Sequence, residues 1–247
     1  MKVSIIGYGE MAKAIANGLK GEIEFEVVGR DEEKLKKFAE EFGCEYRLID
    51  GYDISGKTVL LAIKPYALQE ISMRIKGEAE VLISILAGKP LVELQKYIKS
   101  KYYLRAMPNI AAKHKASTTA LTGDEEARET AETILSKIGE VIWVNSDDEI
   151  DMATAIIGSG PAFLAMIAEA VSDAGVYTGL KRDISEKLTR GLFKSFAAIE
   201  ENFATIKNQV TSPKGTTAEG VFTLESEGVR GSVMKGIIKT YEKSKKI

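Results

Sequence analysis

Gly7-Tyr8-Gly9-Glu10-Met11-Ala12 sets two glycines one residue apart and a small residue three further on, directly after the apolar run Val3-Ser4-Ile5-Ile6. That spacing suits a turn that seats a pyrophosphate. The first glycine permits the tight turn, the second lets backbone approach the phosphates, and the small third residue lets a helix pack on the strand. The following helix start offers free amides and the positive end of its dipole to the anion. Gly7, Gly9, Glu10, Met11 and Ala12 are therefore candidate dinucleotide-binding residues, with a plain structural turn as the alternative.

The end of the next strand separates two cofactors. An NAD enzyme carries an acid there for the ribose hydroxyls, about 20 residues beyond the glycines, whereas this sequence reads Val27-Val28-Gly29-Arg30. A guanidinium can clamp a 2'-phosphate through paired hydrogen bonds, and no acid at position 29 repels it. NADPH is the expected cofactor, NADH is left open, and a solvated surface arginine is the other reading of Arg30. Asp31, Glu32 and Glu33 read as the start of a helix, and Lys34 as support for Arg30. Leu61-Ala62-Ile63-Lys64-Pro65 and Ser84-Ile85-Leu86-Ala87-Gly88 stand at the ends of further strands, on the rim where parallel sheets bind ligands. Ala62, Ile63, Lys64, Pro65, Ala87 and Gly88 join the cofactor candidates. Pro65 biases Lys64 toward an extended backbone, and Lys64 points to ligand or to solvent.

A second constellation lies far along the chain. Ser212-Pro213-Lys214-Gly215-Thr216-Thr217 reads as a loop opening a helix, in which Pro213 stiffens the chain, Gly215 permits a sharp turn and the threonines bring hydroxyls to exposed amides. Such a helix start suits a small carboxylate; a capped turn without a ligand is the alternative. Gly158-Ser159-Gly160-Pro161 similarly reads as a tight turn feeding a helix, with Pro161 at its first helical position.

The elements that position these residues follow from periodicity. Val3 to Ile6, Phe25 to Val28, Cys44 to Leu48, Thr58 to Ile63, Val81 to Ile85 and Tyr103 to Met107 read as strands. They alternate with helices at Met11 to Leu19, Asp31 to Phe42, Ala67 to Arg74 and Pro90 to Lys96, the pattern of a predominantly parallel sheet. Thr118 to Leu121 as strand, Asp124 to Lys137 as helix capped by Asp124, and Val141 to Val144 as edge strand complete the α/β Rossmann-type domain, residues 1–146. Beyond it the β-rich runs vanish. Met152 to Ile157, Ala162 to Ala174, Ile184 to Ile206, Thr217 to Glu225 and Arg230 to Lys243 read as helices of an all-helical domain, residues 147–247. Pro161 to Val176 has few charges on any face and must be covered on all sides, so a dimer through the helical domain is expected.

A chain of 247 residues, 45% apolar and 28% charged, is globular by composition, and a net charge of -2 gives a nucleic-acid surface no bulk support. Cys44 is the single cysteine and His114 the single histidine, which leaves no intrachain disulfide and no expected metal site. Cys44 reads as a strand residue and His114 as a loop residue. The run after Met1-Lys2 is too short for a signal peptide, and no window has 18 consecutive apolar residues free of charge. A cytoplasmic protein without a membrane span is expected.

Taken in order, Gly7 to Ile15, Leu61 to Pro65, Ser84 to Gly88, Arg105-Ala106-Met107-Pro108-Asn109, Gly158 to Ala162 and Val210 to Thr217 resemble the pyrroline-5-carboxylate reductase family over nearly the whole chain. The last two segments are the specific ones, since Rossmann proteins at large do not share them. The resemblance implies reduction of 1-pyrroline-5-carboxylate to L-proline, the last step of proline biosynthesis. It implies that Ser212, Lys214, Gly215, Thr216 and Thr217 hold the substrate carboxylate, that Thr217 lies beside the ring nitrogen as the candidate catalytic residue, and that Asn109 joins the cofactor set. Asp147 falls where the family commonly carries a glutamate near the substrate; a solvated helix start is its other reading. The sequence departs from the family at Ile110-Ala111, at Lys115 and Ser117, and at Lys214, which replaces the first of two glycines and is expected to need a conventional backbone angle.

A protonated cyclic imine is already a good hydride acceptor, so positioning and desolvation matter more than a strong acid. Thr217 is accordingly read as an orienting hydroxyl. A β-hydroxyacid dehydrogenase is the competing enzyme; carbonyl reduction wants a lysine or histidine as proton donor, and Ala162 to Ala174 contains no lysine. A non-catalytic dinucleotide-sensing protein is the competing binding module, predicting cofactor binding without turnover.

Overall fold

The computed structural model describes residues 1–245. Its strands are β1 (Lys2–Ile6), β2 (Glu24–Gly29), β3 (Glu45–Leu48), β4 (Tyr52–Asp53), β5 (Thr58–Leu61), β6 (Ile75–Lys76), β7 (Ala79–Ser84), β8 (Ser100–Met107), β9 (Ser117–Gly123) and β10 (Gly139–Trp143). The α-helices are α1 (Glu10–Leu19), α2 (Glu32–Phe42), α3 (Leu68–Ser72), α4 (Leu91–Tyr97), α5 (Arg128–Leu135), α6 (Asp147–Ala153), α7 (Gly160–Tyr177), α8 (Arg182–Ala197), α9 (Phe203–Gln209), α10 (Thr216–Ser226) and α11 (Val229–Ser244).

Eight strands form one sheet in the order β10-β9-β8-β7-β5-β1-β2-β3, parallel throughout except for the β8–β9 pair. The chain starts in the middle: β1 pairs with β2 on one side and β5 on the other. Strands buried on both faces read as apolar runs, as at Ile5-Ile6 of β1, Val27-Val28 of β2 and Val81-Leu82-Ile83 of β7. The short β4 and β6 pair apart from this sheet; two-residue strands leave no periodic trace in the sequence. Helix α2 shows how local chemistry sets the boundaries. Asp31 caps it by accepting from the Lys34 amide at 3.1 Å, Leu35, Phe38 and Phe42 bury its apolar side, and Gly43 ends it at φ 70°.

Two compact units result. One comprises residues 1–158 with the end of α11 from Tyr241, the other Ser159–Thr240. The division falls later than 146 because α6 is fastened to the sheet: Arg105 on β8, fully buried, donates to Asp147 at 3.0 Å and to Asp151 at 2.6 Å. Ile150 packs beside Met107 and Ala120. A π-helical turn at Thr154–Gly158 follows α6.

Two sequence expectations are corrected. The single helix expected from Ile184 to Ile206 is two, because the Asn202 side chain accepts from the Ala204 amide and starts α9 afresh. Asp124 caps nothing; its carboxylate instead accepts from the Tyr103 amide at 2.7 Å. The helical run Asp147–Tyr177 is long and apolar enough, by length and composition, to cross a membrane, with 17% of its most apolar window buried. It still holds no 18-residue stretch free of charge, since Glu169 and Asp173 lie within it.

The second unit has almost no interior of its own. Among its described residues only Ser172, Ser185, Thr189 and Ile206 are buried. Met166, Leu188 and Phe222 are 63%, 58% and 70% exposed.

Candidate functional site

A cleft of about 640 Å³ opens at the C-terminal ends of β1, β2 and β5. Of the residues singled out in the sequence, Gly7, Gly9, Glu10, Met11, Arg30, Ala62, Ile63 and Lys64 line it together. Ala12 lies buried behind them, where it lets α1 pack on the strand. Pro65, Ala87, Gly88 and Asn109 are not among the lining residues. The Asn109 side chain accepts from the Ala111 amide at 3.0 Å and so caps the short helical turn Ile110–His114. Sequence reasoning missed Tyr8, Tyr66, Ile85, Met107 and Pro108, which also line the cleft. Tyr8, Ile85 and Met107-Pro108 lie within segments that the sequence had singled out, whereas Tyr66 carried no signal.

Gly7 sits at φ 120°, and a Cβ built on it would lie 2.3 Å from the Ala62 carbonyl oxygen. Glycine is required there on both counts. Gly9 differs: its backbone is extended, at φ -77° and ψ -178°, and a Cβ on it would meet nothing within 4 Å. That is a cradle in which a side chain would occupy ligand space. No side chain caps α1, so its first amides remain available to an anion. Lys64 is extended ahead of Pro65, as expected, and exposed.

Tyr8 bridges the two turns. Its ring covers Gly29, where a Cβ would come within 2.6 Å of it. Its hydroxyl and the Glu70 carboxylate hold the Arg30 guanidinium firmly charged, above its ordinary range. Arg30 Nη1 donates to both Glu70 oxygens, at 3.0 and 3.2 Å. Lys34 turns instead to Asp31, at 3.0 Å.

In the second unit, the loop before α10 carries Ser212, Lys214, Gly215, Thr216 and Thr217 together. The Gly215 amide donates to the Ser212 carbonyl at 3.0 Å, closing a turn in which a Cβ on Gly215 would strike the Ser212 hydroxyl at 2.3 Å. No side chain caps α10, and both threonines are exposed. Lys214 stands at φ 58°. The expectation of a conventional angle was therefore wrong: the loop keeps the left-handed backbone that suits glycine, and the lysine adopts it. Lys115, another departure from the family pattern, does the same at φ 55°.

Asp147 is committed elsewhere. One carboxylate oxygen accepts from Arg105 and the other from the Leu91 amide at 2.9 Å, which makes it an anchor for α6. The substrate-binding role expected for it is not supported by these contacts. Cys44 is half-buried, and burial pushes its thiol up to about 11, which leaves it protonated. His114 is exposed and ends the helical turn Ile110–His114 instead of lying on a loop.

A family model described as pyrroline-5-carboxylate reductase dimerisation matches residues 147–247. Another, described as NADP oxidoreductase coenzyme F420-dependent, matches residues 2–88. The pyrroline-5-carboxylate reductase of Helicobacter pylori is 35% identical over 253 residues, covering 98% of this chain and 98% of that protein. The chain belongs to the pyrroline-5-carboxylate reductase family. The solved 1-pyrroline-5-carboxylate reductase of Streptococcus pyogenes superposes with a TM-score of 0.85 at 28% identity, covering 100% of this chain and 99% of that one. The Plasmodium falciparum pyrroline carboxylate reductase, solved with NADP bound, shares the fold at a TM-score of 0.79 and 23% identity, covering 99% and 98%. A Rossmann-type sheet followed by a helical dimerisation region is thus the architecture of this reductase family, and the first unit has an NADP(H)-binding oxidoreductase fold.

Proposed function

We propose that this chain reduces 1-pyrroline-5-carboxylate to L-proline with NADPH as reductant, as a cytoplasmic homo-oligomer of at least two chains. The observation that carries the reading is the uncapped start of α10 behind the Lys214–Gly215 turn, in a chain that matches a pyrroline-5-carboxylate reductase over 98% of its length.

The residues of the first unit fit a dinucleotide. Gly9 leaves open space in front of uncapped amides, which suits a pyrophosphate, and Arg30 on the same cleft suits a 2'-phosphate. Gly7, Gly9, Glu10, Met11, Arg30, Ala62, Ile63 and Lys64 would hold the cofactor, with Ala12 behind them; Pro65, Ala87, Gly88 and Asn109 would shape the surrounding rim. When bound, NADPH supplies the hydride that reduces the C=N bond.

The chain's own contribution is positioning. The amides at the start of α10 and the Ser212 hydroxyl anchor the substrate carboxylate, and the Lys214 ammonium adds attraction. The Thr217 hydroxyl accepts from the protonated ring nitrogen and so fixes which way the ring lies. A threonine hydroxyl has no acidity to spend at neutral pH, so this role is orientation. With the carboxylate and the nitrogen both held, the ring carbon has one presentation, which is where most of the rate advantage arises.

Helix α7 contains no lysine, which argues against a hydroxyacid dehydrogenase with its proton donor on that helix and leaves Lys64 as the donor such a reading would need. The exposed apolar surface of α7, α8 and α10 supports a subunit interface in preference to a membrane span, because charged residues such as Glu169, Asp173 and Lys187 share these helices.

Initial-rate oxidation of NADPH with 1-pyrroline-5-carboxylate tests the activity, with product analysis and small oxo acids as controls. Proline formed well above the oxo-acid background is the expected result. Cofactor binding without turnover would move the chain to the sensing class.

A further inference from the structure

Arg30, the residue that the NADPH reading assigns to the 2'-phosphate, already holds a carboxylate. Glu70 Oε1 and Oε2 accept from its Nη1 at 3.0 and 3.2 Å. Arg74 Nη2 lies 3.1 Å from the same Oε1 and its Nη1 lies 3.1 Å from Asp50. Lys34 is taken by Asp31. Three cations thus face three carboxylates around this end of the cleft. Glu70 is held in place by its neighbours, since Leu68 and Ile71 bury themselves against the sheet on either side of it along α3. Its position at the rim is therefore fixed by packing, while its head remains part-exposed at 40%.

We propose that Glu70 is a cofactor-selectivity residue: it occupies the guanidinium that a 2'-phosphate would use, and so narrows the preference of this enzyme for NADPH over NADH. The inference rests on the reading of Arg30 as the 2'-phosphate ligand. A dianionic phosphate arriving at Arg30 must either displace Glu70 or share the guanidinium with it, and both routes cost part of the binding energy that the phosphate brings. NADH carries a 2'-hydroxyl instead. It makes no claim on the guanidinium, and the Arg30–Glu70 pair persists beside it. Exposed pairs of this kind are weak, so the expected change in affinity is at most about fivefold.

The test separates the inference from the reading beneath it. Adenosine 2',5'-bisphosphate and 5'-AMP probe the rim without any hydride chemistry, by calorimetry on the full-length oligomer at low ionic strength. In the unaltered chain the bisphosphate binds more tightly than AMP, and Arg30→Ala collapses that ratio. Glu70→Gln keeps the shape and removes the charge; it raises the ratio about three- to fivefold, through the bisphosphate alone, and does so only while Arg30 is present. A ratio that stays or falls in Glu70→Gln, while Arg30→Ala still collapses it, overturns the proposal and leaves Arg30 as the phosphate ligand. An Arg30→Ala variant with an unchanged ratio overturns the reading of Arg30 and the proposal with it.

Discussion

Gly7 lies so close to Ala62 that a Cβ on the glycine would sit 2.3 Å from the Ala62 carbonyl oxygen, whereas Gly9, two residues on, would place its Cβ in open space. The two glycines of the turn are required for different reasons. Gly7 serves the packing of β1 on β5, and Gly9 serves whatever lies in front of the turn.

This difference is measurable. Gly9→Ala is expected to melt at the same temperature as the unaltered chain, because its extended backbone suits any residue, while binding NADPH at least tenfold more weakly by fluorescence titration, an effect of about 1.4 kcal/mol. Gly7→Ala is expected to lose folding stability first, by several kcal/mol, with a strained φ and a backbone clash together. Equal effects of both substitutions on the melting temperature would contradict the assignment.

Glu26 gives a prediction about pH. Burial opposes ionisation of this carboxyl, but hydrogen bonds from Tyr52, Lys57 and Ser4 outweigh it and bring it down from 4.5 to about 2. Lys57 donates at 3.1 Å and Ser4 at 2.9 Å, with the Tyr52 hydroxyl closer still. A carboxyl whose folded value is depressed stabilises the fold above its unfolded value, and that contribution fades as pH falls from about 4.5 through 2. Denaturant melts across this window should show a loss of about 2 kcal/mol attributable to Glu26, after allowance for screening by nearby solvent. Glu26→Gln should be less stable at neutral pH and show a shallower acid limb. An unaltered acid limb in that variant would mean the cluster contributes nothing.

How much of this was legible depends on how far apart the partners lie in the chain. The glycine turn, Arg30 and the Ser212–Thr217 loop are local patterns, and local spacing suffices to read them. The pairs that qualify them are not local. Arg30 meets Glu70 across 40 residues and Arg105 meets Asp147 across 42, so nothing near Asp147 in the sequence signals that Arg105 already holds it. The break before α9 turned on one asparagine, which a helical periodicity spanning Ile184 to Ile206 tolerates without complaint. The apolar helices of the second unit were visible as needing cover, and the fold agrees: Leu188 and Phe222 remain outside any core the single chain provides.

Lys214 could not be read at all from residue type, since a lysine gives no sign of a positive φ. The left-handed backbone costs a residue with a Cβ about 1 kcal/mol or more, and glycine avoids that cost at the expense of a looser unfolded chain. Lys214→Ala and Lys214→Gly remove the same charge and differ only in this respect. The glycine variant is expected to be the more stable of the two by about 0.5–1 kcal/mol in chemical denaturation. The reverse order would show that the loop relaxes out of the left-handed region in solution.

Thr217 tests the orienting role directly. Threonine and valine have nearly the same shape, and Thr217 is exposed in the first turn of α10 with no capping duty, so Thr217→Val deletes the hydroxyl and leaves the loop standing. If the hydroxyl only adds to substrate binding, KM rises and kcat holds. If it fixes the ring for hydride transfer, kcat falls together with kcat/KM, by about 10- to 100-fold for the loss of one oriented contact in a near-attack geometry. The second pattern is the expected one, with NADPH affinity unchanged because the hydroxyl belongs to the substrate. Serine restores the oxygen without the methyl, and Thr217→Ser should recover most of the rate. A valine variant with full kcat would remove Thr217 from the reacting centre and leave the carboxylate anchor as the loop's whole contribution.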